Sequence, residues 1–569
     1  MRPMFAWIFS GWMLLAAAAL LLHAQGPNTG TPVSVDVDLE HIVGRNQGIY
    51  RWFGYDEGNY TTAPGGRKLL HELHDLSPEP VYIRFHHLLT SGDGKPELKW
   101  SSTGVYREDA KGTPIYNFAI LDGMFDVLRE AGVRPMVEFG FMPEGLAAVL
   151  PDRHEPYQVH FPGSTIAGAS NNPPKDYAKW GALVRAVTAH LVERYGREIM
   201  LTWYFEVWNE PDIDYWHGSA EDYWKLYDYT VAGLRSALPG ARVGGPATTG
   251  PGSAKAASFL EGFLEHVNSG RSAANGKSIP LDFISFHVKG RPMIEDGHVT
   301  MGIAHELTDA DRGFAIVAKF PKFRQLPIIL SEADPEGCAA CSSRQNPANN
   351  YRNGTMYAAY TGAAYKGLME LARRHGVDLI SMLSWSFEFE GKDYFEGFRS
   401  LSTNGIDKPI LNFFRMAGLM EGDWVEAHST SATPLNDLVR QGVSSGQDVD
   451  ALATRGRSDA AVLVWNYRQR DTPVETAPVT LSVRHLPPGK ARVLVSQYRI
   501  DADHSNAYTV WQAMGSPQHP TAEQLAELQD RAGLELLRSP EWVDGSDGVV
   551  IVRMELPAES VELITLHWD

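Results

Sequence analysis

The chain has 569 residues, 43% hydrophobic and 21% charged, with a formal net charge of −18. That much apolar material can form large cores, which excludes disorder and collagen-like order; at roughly 150 residues per domain the length allows about four domains, or fewer if one is an α/β barrel. The acidic balance argues against a nucleic-acid partner, because neutralising phosphates needs clustered Lys and Arg.

Residues 1–24 read as a secretory signal peptide. Arg2 gives a positive start, Met4–Leu22 is almost wholly apolar, and Ala24 is a small residue suited to cleavage. The reading implies export to a periplasmic or secreted location, with no stable membrane insertion after cleavage. An uncleaved anchor is the alternative, since the run approaches the length that spans a bilayer. Within residues 25–45, Val33, Val35 and Val37 alternate with polar residues over Pro32–Asp38, a strand expected to join a sheet built by the far end of the chain.

From 46 to 415 strand-like and helix-like units alternate. Short apolar runs fall at Gly48–Gly54, Pro80–His86, Arg134–Gly140, Thr202–Trp208, Arg242–Gly245, Asp282–His287, Pro327–Ser331 and Asp378–Ser386. Between them lie amphipathic stripes, such as Leu121, Met124, Phe125 and Leu128 before Gly132, or Trp180, Leu183, Val184, Val187 and Leu191 before Gly196. Such alternation implies parallel strands with crossover helices, and eight strands predict an α/β fold of the (β/α)₈ TIM-barrel type. A doubly wound open sheet is the rival, but no G-x-G-x-x-G follows an early strand.

Cys338 and Cys341 are the only cysteines. In an oxidising compartment they predict a disulfide; a redox-active C-x-x-C pair is the other reading. A closed zinc site has no second thiol pair, and neither a metal nor an organic cofactor is implied. Over 416–569 the texture changes to short alternating strands, with Val479, Leu481 and Val483 in one and Val550, Val552, Met554 and Leu556 in another. These predict an accessory antiparallel β-sandwich, interrupted by a helix near Thr521–Ala532.

Two segments carry chemistry. The aromatic run from Trp203 ends in Asn209-Glu210-Pro211, and Pro327–Ser331 ends in Glu332-Ala-Asp-Pro335. Proline cannot continue a ladder, so each carboxylate sits where a strand stops, and the carboxyl ends of barrel strands are where catalytic groups gather. By count these are the fourth and seventh strands, which face each other across the barrel mouth. Paired carboxylates there suit glycoside cleavage: one protonated to help the leaving oxygen depart, the other ionised to attack the anomeric carbon. The plain alternative is that each Glu pairs with a nearby Arg or caps a loop.

The segments FEVWNEPD (Phe205–Asp212), DFISFHVKG (Asp282–Gly290), SEADP (Ser331–Pro335), HSNAY (His504–Tyr508) and PTAEQ (Pro520–Gln524) make the chain resemble glycoside hydrolase family 39, retaining (β/α)₈ glycosidases that include β-xylosidases and α-L-iduronidases. The resemblance implies that Glu210 is the acid/base and Glu332 the nucleophile. It implies that Asn209 bonds the sugar 2-hydroxyl, that His86 and His287 contact sugar, and that Arg84 supports the nucleophile. Trp385 would floor the sugar subsite. Lys289 matches a lysine that in iduronidases contacts the substrate carboxylate, and Arg399 would be a second such cation. The main reading is an exo-acting, retaining β-xylosidase-like enzyme working on glycosides or oligosaccharides from plant or microbial polysaccharides. A uronate-releasing, iduronidase-like enzyme is the runner-up, and a non-catalytic carbohydrate-binding protein is the reading from another class.

Overall fold

The computed structural model describes residues 31–150 and 169–568, apart from 445, 473–475, 488, 490 and 491. The signal-peptide reading of residues 1–24 lies outside them. The first strand, β1 (Val33–Arg45), leads into eight parallel strands: β2 (Trp52–Tyr55), β3 (Tyr82–Phe85), β4 (Arg134–Phe139), β5 (Tyr204–Val207), β6 (Arg242–Thr248), β7 (Phe283–Lys289), β8 (Pro327–Asp334) and β9 (Asp378–Met382, resumed at Ser384–Trp385). Each pairs with the next, and Ser384 and Trp385 pair with Phe53 and Gly54 of β2, so the sheet closes into a barrel.

A helix follows every barrel strand: α1 (Pro64–His74), α2 (Ala119–Glu130), α3 (Tyr177–Tyr195), α4 (Ala220–Ala237), α5 (Ala254–Ser269), α6 (Ile303–Ala318), α7 (Met356–His375) and α8 (Pro409–Gly418). Some of their starts are chemically marked. The Asp176 carboxylate accepts from the Ala178 and Lys179 amides at the head of α3, and Ser219 with Asp222 forms a reciprocal capping box on α4. The predicted stripes are the buried faces: Leu121, Met124, Phe125 and Leu128 on α2, and Trp180 to Leu191 on α3.

The accessory domain is a nine-stranded sheet formed by β1 with β10 (Asp423–Ser429), β11 (Asp448–Arg455), β12 (Asp459–Tyr467), β13 (Ala477–Arg484), β14 (Arg492–Ile500), β15 (Glu535–Asp544), β16 (Val549–Leu556) and β17 (Val561–Trp568). Its core unites Val33, Val35 and Val37 with Val462, Val464, Leu481, Val483, Ile564 and Leu566. One ladder departs from the antiparallel expectation: β1 runs parallel to β13, from Val33 beside Val479 to Asp38 beside Arg484. The whole barrel lies between these two strands in the chain, so no hairpin turn fixes their relative direction.

Helices α9 (Ala507–Ala513) and α10 (Ala522–Ala532) leave this sheet and pack on Phe395 and Ile406, in the loop after β9. The Tyr508 hydroxyl donates to Asn350 at 3.2 Å, tying the insert to the barrel rim. Cys338 and Cys341 form a disulfide in the loop after β8. Among the described residues no helix is long and apolar enough to cross a membrane.

Candidate active site

The chain leaves β5 through an unusual backbone. Trp208 has φ 68° and Glu210 φ 43°, left-handed values on either side of Asn209, and the Glu210 amide donates to the Ala247 carbonyl at 2.8 Å. Side chains rarely adopt such backbone without surrounding structure that enforces it, and such positions cluster at functional sites. Across the mouth, β8 slips its register against β7 between Leu330 and Glu332, which places Glu332 beside His287. Irregularities of this kind re-aim a side chain. The outcome is convergence: one carboxylate oxygen of Glu210, one of Glu332 and a ring nitrogen of His287 lie within 4.8 Å of one another. The side chain of Glu210 is 16% exposed and that of Glu332, at 6%, is nearly buried.

A layer of fixed charge supports this pair from below. Arg84, on β3, is fully buried. Its guanidinium meets Glu206 at 2.6 Å, Glu138 at 2.7 Å and Glu332 at 3.3 Å, and donates to the Asn209 side-chain oxygen at 3.0 Å. One planar cation thus sets both the nucleophile candidate and the residue before Glu210. His86 follows β3; its Nδ1 is 2.7 Å from Glu138, while its Nε2 is 3.4 Å from Glu332 and 3.3 Å from Asp56. Burial works against charge on His86, but Glu138 above all, with Glu332, pushes its pKa up to about 10. Lys289 ends β7, with Nζ 2.8 Å from Glu332 and 2.6 Å from Asp334.

The two glutamates titrate apart. Burial, then the Glu332 charge, pushes Glu210 up to about 8. Burial alone would raise Glu332 too, but His287, Lys289 and His86 override it and hold the carboxyl well below its usual range. His287, whose Nδ1 is 2.9 Å from Glu210, is pushed down to about 4 by burial, so it carries charge, and opposes protonation of Glu332, only in acid. The Glu210, His287 and Glu332 donors are close enough to hold a cation. Lys289 and Arg84 already supply fixed positive charge there, so a metal ion would have to displace it.

Trp385, at the end of β9, is buried with its ring 4.3 Å from the His86 ring and under the Arg84 guanidinium. Arg399 is corrected. It is not a second cation for substrate: it is fully buried, pairs with Glu336, lies 3.4 Å from Asp334 and donates to the Trp385 carbonyl. It braces the strand ends from behind. Neither Arg399 nor Lys289 sits in a surface ion pair.

The sequence reading missed Glu138, Glu206, Asp334 and Asp56. The first two had a signal, because a carboxylate within an apolar strand run needs a buried cation, and Arg84 lies in such a run. Asp56 had none; it falls two residues beyond the expected first strand, in no motif.

The chain is similar to known proteins. The profile of Glycosyl hydrolases family 39 matches residues 82–534. A beta-xylosidase of Geobacillus stearothermophilus is 26% identical over 510 residues, 85% of this chain and 86% of that protein. The alpha-L-iduronidase of Homo sapiens is 27% identical over 446 residues, 73% of this chain and 61% of its own length. The crystal structure of a monomeric beta-xylosidase from Caulobacter crescentus CB15 has the same fold, with a TM-score of 0.71 at 23% identity over 94% of this chain and 99% of that one. With a family profile spanning most of its length, the chain is a glycoside hydrolase that belongs to family 39.

Proposed function

We propose that the protein is a retaining, exo-acting glycosidase of β-xylosidase type, with Glu210 as acid/base and Glu332 as nucleophile. The observation that carries this reading is a pair of carboxylates whose oxygens approach within 4.8 Å, one pushed up to about 8 and the other held well below its usual range. Retaining enzymes place these groups about 5 Å apart, leaving no room for a water between them.

In the first step the Glu332 carboxylate attacks the anomeric carbon. The bond to the leaving oxygen breaks, and that oxygen takes the proton of Glu210. In the second, Glu210 removes a proton from water, the water oxygen attacks the anomeric carbon, and Glu332 leaves with its electron pair. The switch from acid to base is built in. The Glu332 charge helps to raise Glu210, and that charge is gone in the ester, so Glu210 is then more readily ionised, the form in which it accepts a proton from water. Arg84, His86 and Lys289 stabilise ionised Glu332 before attack and again as it departs.

A neutral sugar fits the curated beta-xylosidase relatives. A uronate would need a free cation, and the ammonium of Lys289, the residue matching the iduronidase lysine, is already engaged by Glu332 and Asp334. Export is part of the proposal, supported by the signal-like residues 1–24 and by a disulfide suited to an oxidising compartment.

The test is Glu332→Gly. Turnover of an aryl β-xyloside should fall by three or more orders of magnitude, as when a nucleophile is removed from other covalent enzymes. Azide should then partly restore it, giving a glycosyl azide of inverted configuration. Undiminished activity in this variant would remove the mechanism.

A further inference from the structure

Asp56 directly follows β2, so it stands at the carboxyl end of the first barrel strand, on the same rim as Glu210 and Glu332. It lies 3.3 Å from His86 Nε2, the nitrogen that is also 3.4 Å from Glu332. Its side chain is 13% exposed, between the values for Glu332 and Glu210, and both of those carboxylates and Lys289 act on its titration. Three carboxylates thus gather at the same rim of the barrel, whereas the double displacement uses two.

The third is unfavourable in isolation. Burial raises its pKa, and the charges of Glu332 and Glu210 push the same way, against His86. An ionised carboxylate is purely an acceptor, with about four lone-pair sites. His86 engages one of its oxygens. Sugar hydroxyls are the natural donors for the remaining sites, and a sugar carboxylate is what those sites would repel. The cations that might offset such repulsion are engaged: Lys289 with Glu332 and Asp334, Arg84 with three glutamates, His86 with Glu138 and Asp56 itself.

From this placement we infer that Asp56 is a specificity-determining residue of the sugar subsite, accepting a hydrogen bond from a ring hydroxyl of a neutral glycone and disfavouring a uronate. The inference rests on the β-xylosidase-type reading above.

The experiment uses the full chain as wild type, Asp56→Ala and Asp56→Asn. Substrates are p-nitrophenyl β-D-xyloside, its 2-, 3- and 4-deoxy analogues, and p-nitrophenyl β-D-glucuronide. In the wild type at least one deoxy analogue should lose about 10- to 100-fold in kcat/KM, the range for a hydrogen bond to a charged group. Asp56→Ala should lose a similar factor on the xyloside, abolish that deoxy penalty, and shrink the xyloside-to-glucuronide ratio by tenfold or more. Asp56→Asn keeps the shape without the charge. Should the alanine variant fail to fold, Asp56→Asn carries the test through the same fall in that ratio.

Deoxy penalties unchanged in Asp56→Ala, equal losses on both sugars, or a wild-type preference for the glucuronide each overturn the assignment. The Glu332→Gly experiment separates the two levels. If azide rescue succeeds and Asp56→Ala is neutral, the role of Asp56 falls alone; if Glu332→Gly stays active, the reaction falls first.

Discussion

Glu210 and Glu332 carry the same kind of side chain, and their surroundings push the two pKa values in opposite directions. Glu210 stays protonated up to about pH 8 because burial and the Glu332 charge oppose its ionisation. Glu332 stays ionised far into acid because fixed cations surround it. For a poor leaving group, kcat/KM should therefore be level around neutrality and fall tenfold for each further step of one in pH above about 8, as Glu210 loses the proton it must donate. The low-pH limb should lie below the usual carboxylate range. In Glu210→Gln, assayed with a leaving group that needs no proton, the alkaline limb should vanish; its persistence would assign that limb to another group. These two glutamates were legible in the sequence because prolines mark the strand ends beside them. Arg399 misled for the opposite reason, since a cation near the rim in sequence need not face the cavity, and its partners Glu336 and Asp334 are settled by tertiary packing.

The strands of the barrel were largely readable, because each is a short apolar run between helices with clear stripes. The accessory sheet was read less fully. In β15 nearly every residue is at least partly exposed, so it lacks the period-two apolar signal that betrayed β13 and β16. Closure followed from the count of eight strands, but the fit of β9 against β2 that makes it was not readable. Gly54 makes that fit. A Cβ there would meet the Trp385 ring at 2.4 Å and the Arg84 carbonyl at 2.9 Å. Gly54→Ala must push the closing strand outward or shift Trp385, which lies against His86 and Arg84. The expected cost is about 1–3 kcal/mol, the usual range for overpacking, accompanied by a loss of kcat/KM. Urea unfolding and steady-state kinetics check both; wild-type values in each would show that the seam yields freely.

Across the whole molecule, buried titratable groups couple stability to pH with opposing signs. Lys408, just before α8, is buried and donates to the Phe398 carbonyl at 2.9 Å. Burial, then the Arg352 charge, pushes its amine down to about 7 from 10.5. Between those values the unfolded chain binds the extra proton, so stability due to Lys408 rises with pH. His86 does the reverse. With its pKa pushed up to about 10 from 6.5, the folded state holds the extra proton, and its contribution is lost as pH climbs through that window. The two slopes overlap and oppose each other. Lys408→Met should therefore stabilise the protein at pH 7 more than at pH 10, by an amount on the order of 2–3 kcal/mol, since each tenfold change in proton affinity between the folded and unfolded chain is worth about 1.4 kcal/mol. His86→Gln should steepen the rise of stability with pH over the same range. Urea midpoints read from tryptophan fluorescence at pH 7, 8, 9 and 10 test both variants together. A Lys408→Met gain that is constant across the four values would mean that the amine stays charged in the folded barrel, with solvent or a counter-charge reaching it beside Phe398.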